Sequence, residues 1–307
     1  MKFIWCYHLL HKVSQDNSSL IFCSDCYGFV ESHDGKTCDV CGHQPSNARV
    51  KRSSIIKILP FMAIACSGAA SADSGCPELY LAKEAPALIA PLNGDFYEVC
   101  NEEYAVYVSA LNKSAIYAVE RLTPAQVRGA GKISRGYTEF YEETRLPVPI
   151  RMSPESYGRS GYDRGHLAPA GDFSSTASQA QSFSMANVVP QSPAVNRGIW
   201  ADVERTVRYL ASKGPVNVVT GPLYFGKTQY LGQSGMPIPS NIFKAVYAPA
   251  SNAVGVYLVA NDGNQNIGKL SLTQFRTLTG MDVFPSLPVA VKDIRGAIPT
   301  PIQVNWQ

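Results

Sequence analysis

The stretch Tyr162-Asp163-Arg164-Gly165-His166-Leu167-Ala168-Pro169-Ala170-Gly171-Asp172 gathers two carboxylates, a guanidinium and an imidazole into eleven consecutive positions. Four of the five histidines (His8, His11, His33, His43) lie within the first 43 residues, so any imidazole chemistry further along must come from His166. A neutral imidazole near pH 7 takes a proton from water, which suits a general base. The alternative is a structural histidine, the commoner fate of a lone one.

A second polar group follows. Asn187 begins Asn-Val-Val-Pro-Gln, and Asn196 begins Asn-Arg-Gly-Ile-Trp, with Glu204 beyond. Positions 196, 200 and 204 are four apart, which predicts one helix opened by Asn196, with Asn196 and Glu204 projecting within about a quarter turn of each other. Asn196 alone also reads as a helix N-cap, and Glu204 as a solvated face.

In this order, DRGH, NVVPQ, NRGIW and a helical glutamate resemble the DNA/RNA non-specific endonuclease family, which includes secreted bacterial sugar-non-specific nucleases and mitochondrial endonuclease G. The likeness runs from about Tyr104 to Leu287 and includes VVTGPLY, the strand carrying Lys244 and a TG-x-x-x-FP segment. The resemblance implies a ββα-metal (His-Me finger) core that hydrolyses phosphodiester bonds of DNA and RNA with Mg²⁺ or Mn²⁺. His166 is then the general base, Asn196 the direct metal ligand, and Glu204 the residue holding a water on the metal. An upstream arginine contacts the phosphate. Arg135 is the candidate, with Arg145 and Arg151 left open by spacing. Arg164 faces the phosphate as well, or else pairs with Asp163. Asp163 reads as a brace and Asn187 as a support grouped with the catalytic set. DNA and RNA are the implied partners, and a homodimer and a protein inhibitor stay open.

The physical chemistry is compatible with that assignment. Mg²⁺ keeps several waters and accepts a single amide oxygen when phosphate supplies another ligand. A His-rich zinc site beyond residue 43 is excluded by the histidine count. A serine hydrolase is disfavoured because no G-x-S-x-G occurs.

These residues need a scaffold, and the sequence predicts an α+β domain with a mixed, mainly antiparallel sheet and few helices. Residues 104–122 read as two β runs around Asn112-Lys113-Ser114, 215–226 as a buried strand ending in a Gly-Pro turn, and 241–262 as a hairpin around Pro249–Asn252. Ile199, Trp200, Val203, Val207 and Leu210 form one helical stripe that Gly214 can stop. Residues 271–280 form a second helix, from a serine start to a Gly280 cap.

The first 72 residues read differently. Cys23, Cys26, Cys38 and Cys41 form C-x2-C-x11-C-x2-C, a pattern that suits four thiolates around Zn²⁺ in a ribbon at residues 1–49. Residues 50–72 follow the build of a secretory signal: Lys51 and Arg52, an apolar run from Ile55 to Ala65, then Ala70-Ser71-Ala72. This predicts a start of translation near Val50, which leaves 1–49 as an untranslated extension, and a secreted or periplasmic protein of residues 73–307. The rivals are a genuine zinc-ribbon domain before a membrane-proximal segment, lipid attachment at Cys66, and a buried apolar strand. The run is too short for a stable membrane span.

Beyond residue 72 only Cys76 and Cys100 remain, which predicts one disulfide in an oxidising compartment. Residues 73–307 carry 20 basic and 19 acidic side chains, so phosphate binding must be local. A different class of function, an inert nucleic-acid-binding or regulatory protein acting through the zinc ribbon, is opposed by the intact His166, Asn196 and Glu204 set.

Overall fold

The computed structural model describes residues 74–88, 94–134, 138–232, 234–264 and 266–301, with the backbone of two N-terminal strands. Those strands, β1 (Ser19–Cys23) and β2 (Gly28–Ser32), pair antiparallel with Cys23 opposite Gly28. Cys26, Cys38, Cys41, the side chain of Cys23, the signal-like segment 50–72 and Arg135 lie outside the described residues. The chain divides into two units, Met1–Ala65 and Cys66–Gln307.

In the second unit the short β3 (Ala87–Leu88) precedes β4 (Phe96–Cys100), β5 (Tyr104–Ser109) and β6 (Ser114–Leu122). Helix α1 (Pro124–Ala130) follows, then β7 (Asp163–His166), α2 (Thr176–Gln181) and β8 (Val188–Gln191). Next come α3 (Pro193–Arg197), α4 (Ile199–Lys213) and β9 (Val216–Leu223). A small hairpin, β10 (Gln229–Leu231) and β11 (Met236–Ile238), leads to β12 (Asn241–Ala248), β13 (Ala253–Ala260) and β14 (Ile267–Leu270). Helix α5 (Leu272–Thr279), β15 (Met281–Asp282) and α6 (Val289–Lys292) close the unit.

Seven strands form one antiparallel sheet in the order β14-β13-β12-β9-β6-β5-β4. The β12–β13 hairpin turns through Asn252, which adopts a left-handed conformation (φ 49°) that asparagine tolerates well. The predicted Gly-Pro turn is absent. Gly221 and Pro222 continue β9 and stand opposite Phe243 and Ile242, and a Cβ at Gly221 would meet the Ile116 carbonyl oxygen at 2.4 Å and the Phe243 ring at 2.8 Å. Side chains alternate between two apolar layers. Tyr117, Val119, Phe243 and Ala245 face the layer containing α5, while Ala118, Leu122, Ile242 and Val246 face the layer containing α4. Helix α5 begins at Ser271, whose side chain caps it reciprocally with Gln274, and ends at Gly280 with φ 73°.

Trp200, Val203, Val207, Leu210 and Ala211 bury one stripe of α4 against the sheet. Truncating a fully buried tryptophan such as Trp200 costs about 3–5 kcal/mol. Cys76 and Cys100 form a disulfide that ties the start of the described domain to β4. Glu98 adds to this tie by accepting from Ser74 Oγ at 2.7 Å, Gly75 N at 2.6 Å and Tyr80 Oη at 2.5 Å. Among the described residues, no helix is long and apolar enough to cross a membrane.

Candidate active site

Strands β7 and β8 form a separate two-stranded antiparallel sheet, with Asp163 opposite Gln191, Gly165 opposite Val189 and His166 opposite Val188. Gly165 is demanded by close approach, since a Cβ there would lie 2.6 Å from Cβ of Gln191. His166 ends β7 half-buried, its ring 5.2 Å from Phe140 and edge-on to Phe183 at 5.1 Å. Aromatic packing on two sides restricts the rotation of the imidazole.

Arg164 shares the aromatic wall. Its guanidinium carbon lies 5.2 Å from the Phe140 ring and 5.5 Å from Tyr157, and Nη2 donates to the Pro154 carbonyl at 2.7 Å. The ion pair between Asp163 and Arg164 is not formed. Asp163 instead takes a two-point contact from Arg197, Nε to Oδ2 at 2.8 Å and Nη2 to Oδ1 at 2.6 Å, and Oδ2 also accepts from Nδ2 of Asn196 at 2.9 Å. Burial pushes the Asp163 carboxyl up, but hydrogen bonds from Arg197 and Asn196, with the Arg197 charge, outweigh it and hold the group below its ordinary value.

Asn196 does not open the long helix. It lies in the last turn of the five-residue α3, and the chain breaks at Gly198 (φ −106°, ψ −114°) before α4 begins. The four-residue spacing therefore does not run through a continuous helix, and the N-cap of α4 is Gly198. Glu204 lies one turn beyond Trp200 on α4, half-buried and within electrostatic reach of Glu120 and Arg208.

Asn187 is fully buried and uses its whole amide on backbone. Nδ2 donates to the carbonyls of Ala168 (2.8 Å) and Ser182 (2.9 Å), and Oδ1 accepts from Ala168 N (3.0 Å). It holds the loop after His166 in place. Arg145 and Arg151, the open alternatives for a phosphate contact, serve their own surroundings. Arg145 binds Glu143, the Cys100 carbonyl and Asn101, and Arg151 binds the carbonyls of Leu146 and Thr144.

Three tethers to which sequence reasoning gave no role fix the segment from Asp163 to Asp172. Arg197 pins its first residue. Arg208 on α4 pins Asp172 at 2.7 Å. Lys244, 1% exposed on β12, donates to the Leu167 carbonyl at 3.2 Å and to Thr220 Oγ1 at 2.6 Å, beneath the Trp200 ring at 5.6 Å. Beside it the buried Glu120 lies 3.9 Å from the ammonium. Burial, reinforced by the nearby Asp172 charge, pushes the Glu120 carboxyl well above the ordinary carboxylate range despite Lys244. The sequence signal for Arg208 is its place four residues after Glu204; that for Lys244 is its place in a strand shared with the resembled family, which assigned it no role.

The site residues fit a hydrated divalent cation. Asn196 turns its Nδ2 toward Asp163, leaving the amide oxygen as the atom available to an ion. Among the described residues, the one cluster of three potential His, Cys or carboxylate ligands is Cys76, Glu98 and Cys100, whose two sulfurs are joined in the disulfide. A site built on one amide oxygen suits Mg²⁺, which retains most of its waters.

The family model described as DNA/RNA non-specific endonuclease matches residues 83–290, which spans the sheet, the DRGH segment and both Asn196 and Glu204. The chain belongs to the DNA/RNA non-specific endonuclease family. Membership makes it a nuclease, a hydrolase acting on nucleic acids. It is 29% identical over 216 residues to nuclease C1 of Cunninghamella echinulata var. echinulata, covering 64% of this chain and 85% of that protein. It is 29% identical over 223 residues to the human mitochondrial nuclease EXOG, covering 64% of this chain but 59% of that protein. A solved complex of EndoG with EndoGI shares the fold, with a TM-score of 0.59 at 23% identity, covering 64% of this chain and 89% of that one. The expectation of a secreted or periplasmic protein is overturned here, because relatives named for a compartment are mitochondrial nucleases.

Proposed function

We propose that the protein is a metal-dependent endonuclease that cuts phosphodiester bonds of DNA and RNA without regard to sequence. The observation that carries the reading is that β7 holds His166 at one end while Asp163, at the other, holds Asn196 by its amide nitrogen. The base candidate and the metal-ligand candidate are thus fixed to the same short strand.

His166 accepts a proton from a water as its oxygen forms a bond to phosphorus. The bond from phosphorus to the 3′ oxygen breaks, leaving a 5′ phosphate and a 3′ hydroxyl once the departing oxygen takes a proton from solvent. Asn196 would hold Mg²⁺ or Mn²⁺ through its amide oxygen, and Glu204 would accept from the ion's waters. The bound ion supplies charge stabilisation to the phosphate and the leaving oxygen. Arg164 presents positive charge from its aromatic wall, and Arg135 remains the candidate upstream phosphate contact.

Contacts to phosphate carry no base information, which is consistent with non-specific cleavage. DNA and RNA are the partners. A protein inhibitor is a further one, supported by the structural neighbour, in which EndoG is held by its inhibitor EndoGI. Zinc in the N-terminal segment rests on the cysteine pattern alone.

The test is cleavage of plasmid DNA and of RNA by the purified chain with Mg²⁺ or with EDTA. Cleavage of both polymers that stops in EDTA supports the reading. Equal cleavage in EDTA contradicts it.

A further inference from the structure

We propose that Asp163 and Arg197 are positioning residues that together determine which end of the Asn196 amide faces the metal. The inference rests on the reading of Asn196 as the ligand and assigns the device that makes it a competent one. A carboxamide has two ends of nearly equal size, of which only the oxygen can bind a hard cation. Asn196 is half-buried in the last turn of a five-residue helix.

Asp163 supplies the discrimination. An ionised carboxylate only accepts hydrogen bonds, so it attracts the amide nitrogen and repels the amide oxygen. With Nδ2 at 2.9 Å from Oδ2, a flipped amide would bring two oxygens to that same separation. Asp163 can impose this only if its own plane is fixed, and Arg197 fixes it. Nε and Nη2 reach the two carboxylate oxygens at 2.8 and 2.6 Å, the paired geometry a guanidinium forms with a carboxylate.

Consecutive residues of a helix project about 100° apart. Asn196 and Arg197 reach one carboxylate because β8 leads within two residues into α3, which sets the short helix beside the start of β7. The Arg197 side chain is 72% exposed, and an exposed ion pair adds little to folding stability. Its role is therefore separable from a merely structural one.

The test uses the full chain with Mn²⁺ as probe in the absence of nucleic acid. Free Mn²⁺ is counted by electron paramagnetic resonance during titration, with thermal unfolding in EDTA as the folding control. Loss of a partner that orients a metal ligand typically weakens metal affinity about 10–100-fold. Asp163→Asn, whose side chain can present either end to Asn196, should weaken Mn²⁺ binding by about tenfold or more. Arg197→Ala should weaken it in the same direction and Arg197→Lys less so, all with unfolding in EDTA close to that of the parent.

The half-saturating Mn²⁺ for cleavage should rise in parallel while kcat at saturating Mn²⁺ is retained. If Asn196→Ala weakens Mn²⁺ binding but well-folded Arg197→Ala and Asp163→Asn bind it like the parent, the orienting role is overturned and the ligand assignment stands. If Asn196→Ala itself binds Mn²⁺ like the parent, the ligand assignment falls and the orienting role with it.

Discussion

Asn187 and Ala168 exchange a reciprocal pair of hydrogen bonds, Nδ2 to the Ala168 carbonyl at 2.8 Å and Ala168 N to Oδ1 at 3.0 Å. The asparagine side chain thereby behaves like a piece of extra backbone, extending the β7–β8 pairing past His166. Leu167 N adds a bond to the Asn187 carbonyl at 2.9 Å. The turn that presents the imidazole is therefore held by the residue immediately before the partner strand.

Asn187→Ala would leave two carbonyls and one amide buried without their partner, which should destabilise the fold by about 2–4 kcal/mol. Urea unfolding of the variant measures this. A loss below about 0.5 kcal/mol, the range of ordinary surface substitutions, would show that water replaces the amide at little cost.

The buried Glu120 predicts an unusual pH response. Burial and the Asp172 charge raise its carboxyl well above the ordinary 4.5, so between pH 4.5 and that raised value the folded state holds more of this proton than the unfolded chain does. Stability contributed by this group is present below about pH 4.5 and lost as pH rises toward the folded-state value. Glu120→Gln removes that loss. The variant should melt higher than the parent at pH 8 and show no such advantage at pH 4. A variant that melts lower at pH 8 would mean that the carboxylate is ionised and supported by Lys244.

Glu143 works in the opposite sense. Burial raises it, but hydrogen bonds from the Arg145 side chain, Ser184 and the Arg145 backbone outweigh that and hold it below 4.5. Its stabilising effect is present above pH 4.5 and is lost as pH falls through the lower folded-state value. Glu143→Gln should flatten the acid limb of a melting-temperature profile below pH 4.5. An acid limb identical to the parent's would place the sensitive carboxylate elsewhere.

The disulfide closes a loop with a sequence separation of 24, which in the chain-entropy picture is worth about 2–4 kcal/mol. Cys100→Ser should lower the urea midpoint accordingly and leave the slope of the transition nearly unchanged. Equal stability of the two proteins would contradict this.

Much of this arrangement was legible in the sequence. The capped helix 271–280 and the hairpin around Asn252 follow from local chemistry that tertiary packing did not override. The order of DRGH, Asn187, Asn196 and Glu204 pointed to the family that the comparison establishes. The break at Gly198 was not legible, because four-residue spacing is blind to a single residue leaving helical backbone while the apolar stripe resumes after it. Nor was the partner of Asp163. Arg164, its neighbour in sequence, points to the opposite face of β7 as strand alternation requires, and Arg197 reaches it only through the fold. Lys244 reads as a polar interruption of a strand, and its function appears only when Leu167 and Thr220 are brought over it.

The most direct measurement of the central claim is single-turnover cleavage of a defined DNA duplex by His166→Ala at saturating Mg²⁺, with binding of the same duplex in EDTA as control. General-base catalysis contributes about 10²–10⁴-fold, so the cleavage rate should fall by at least two orders of magnitude while binding stays within about twofold of the parent. A variant that still cuts at a rate near the parent's would show that another group takes the proton from water, and that His166 is a structural residue packed between Phe140 and Phe183.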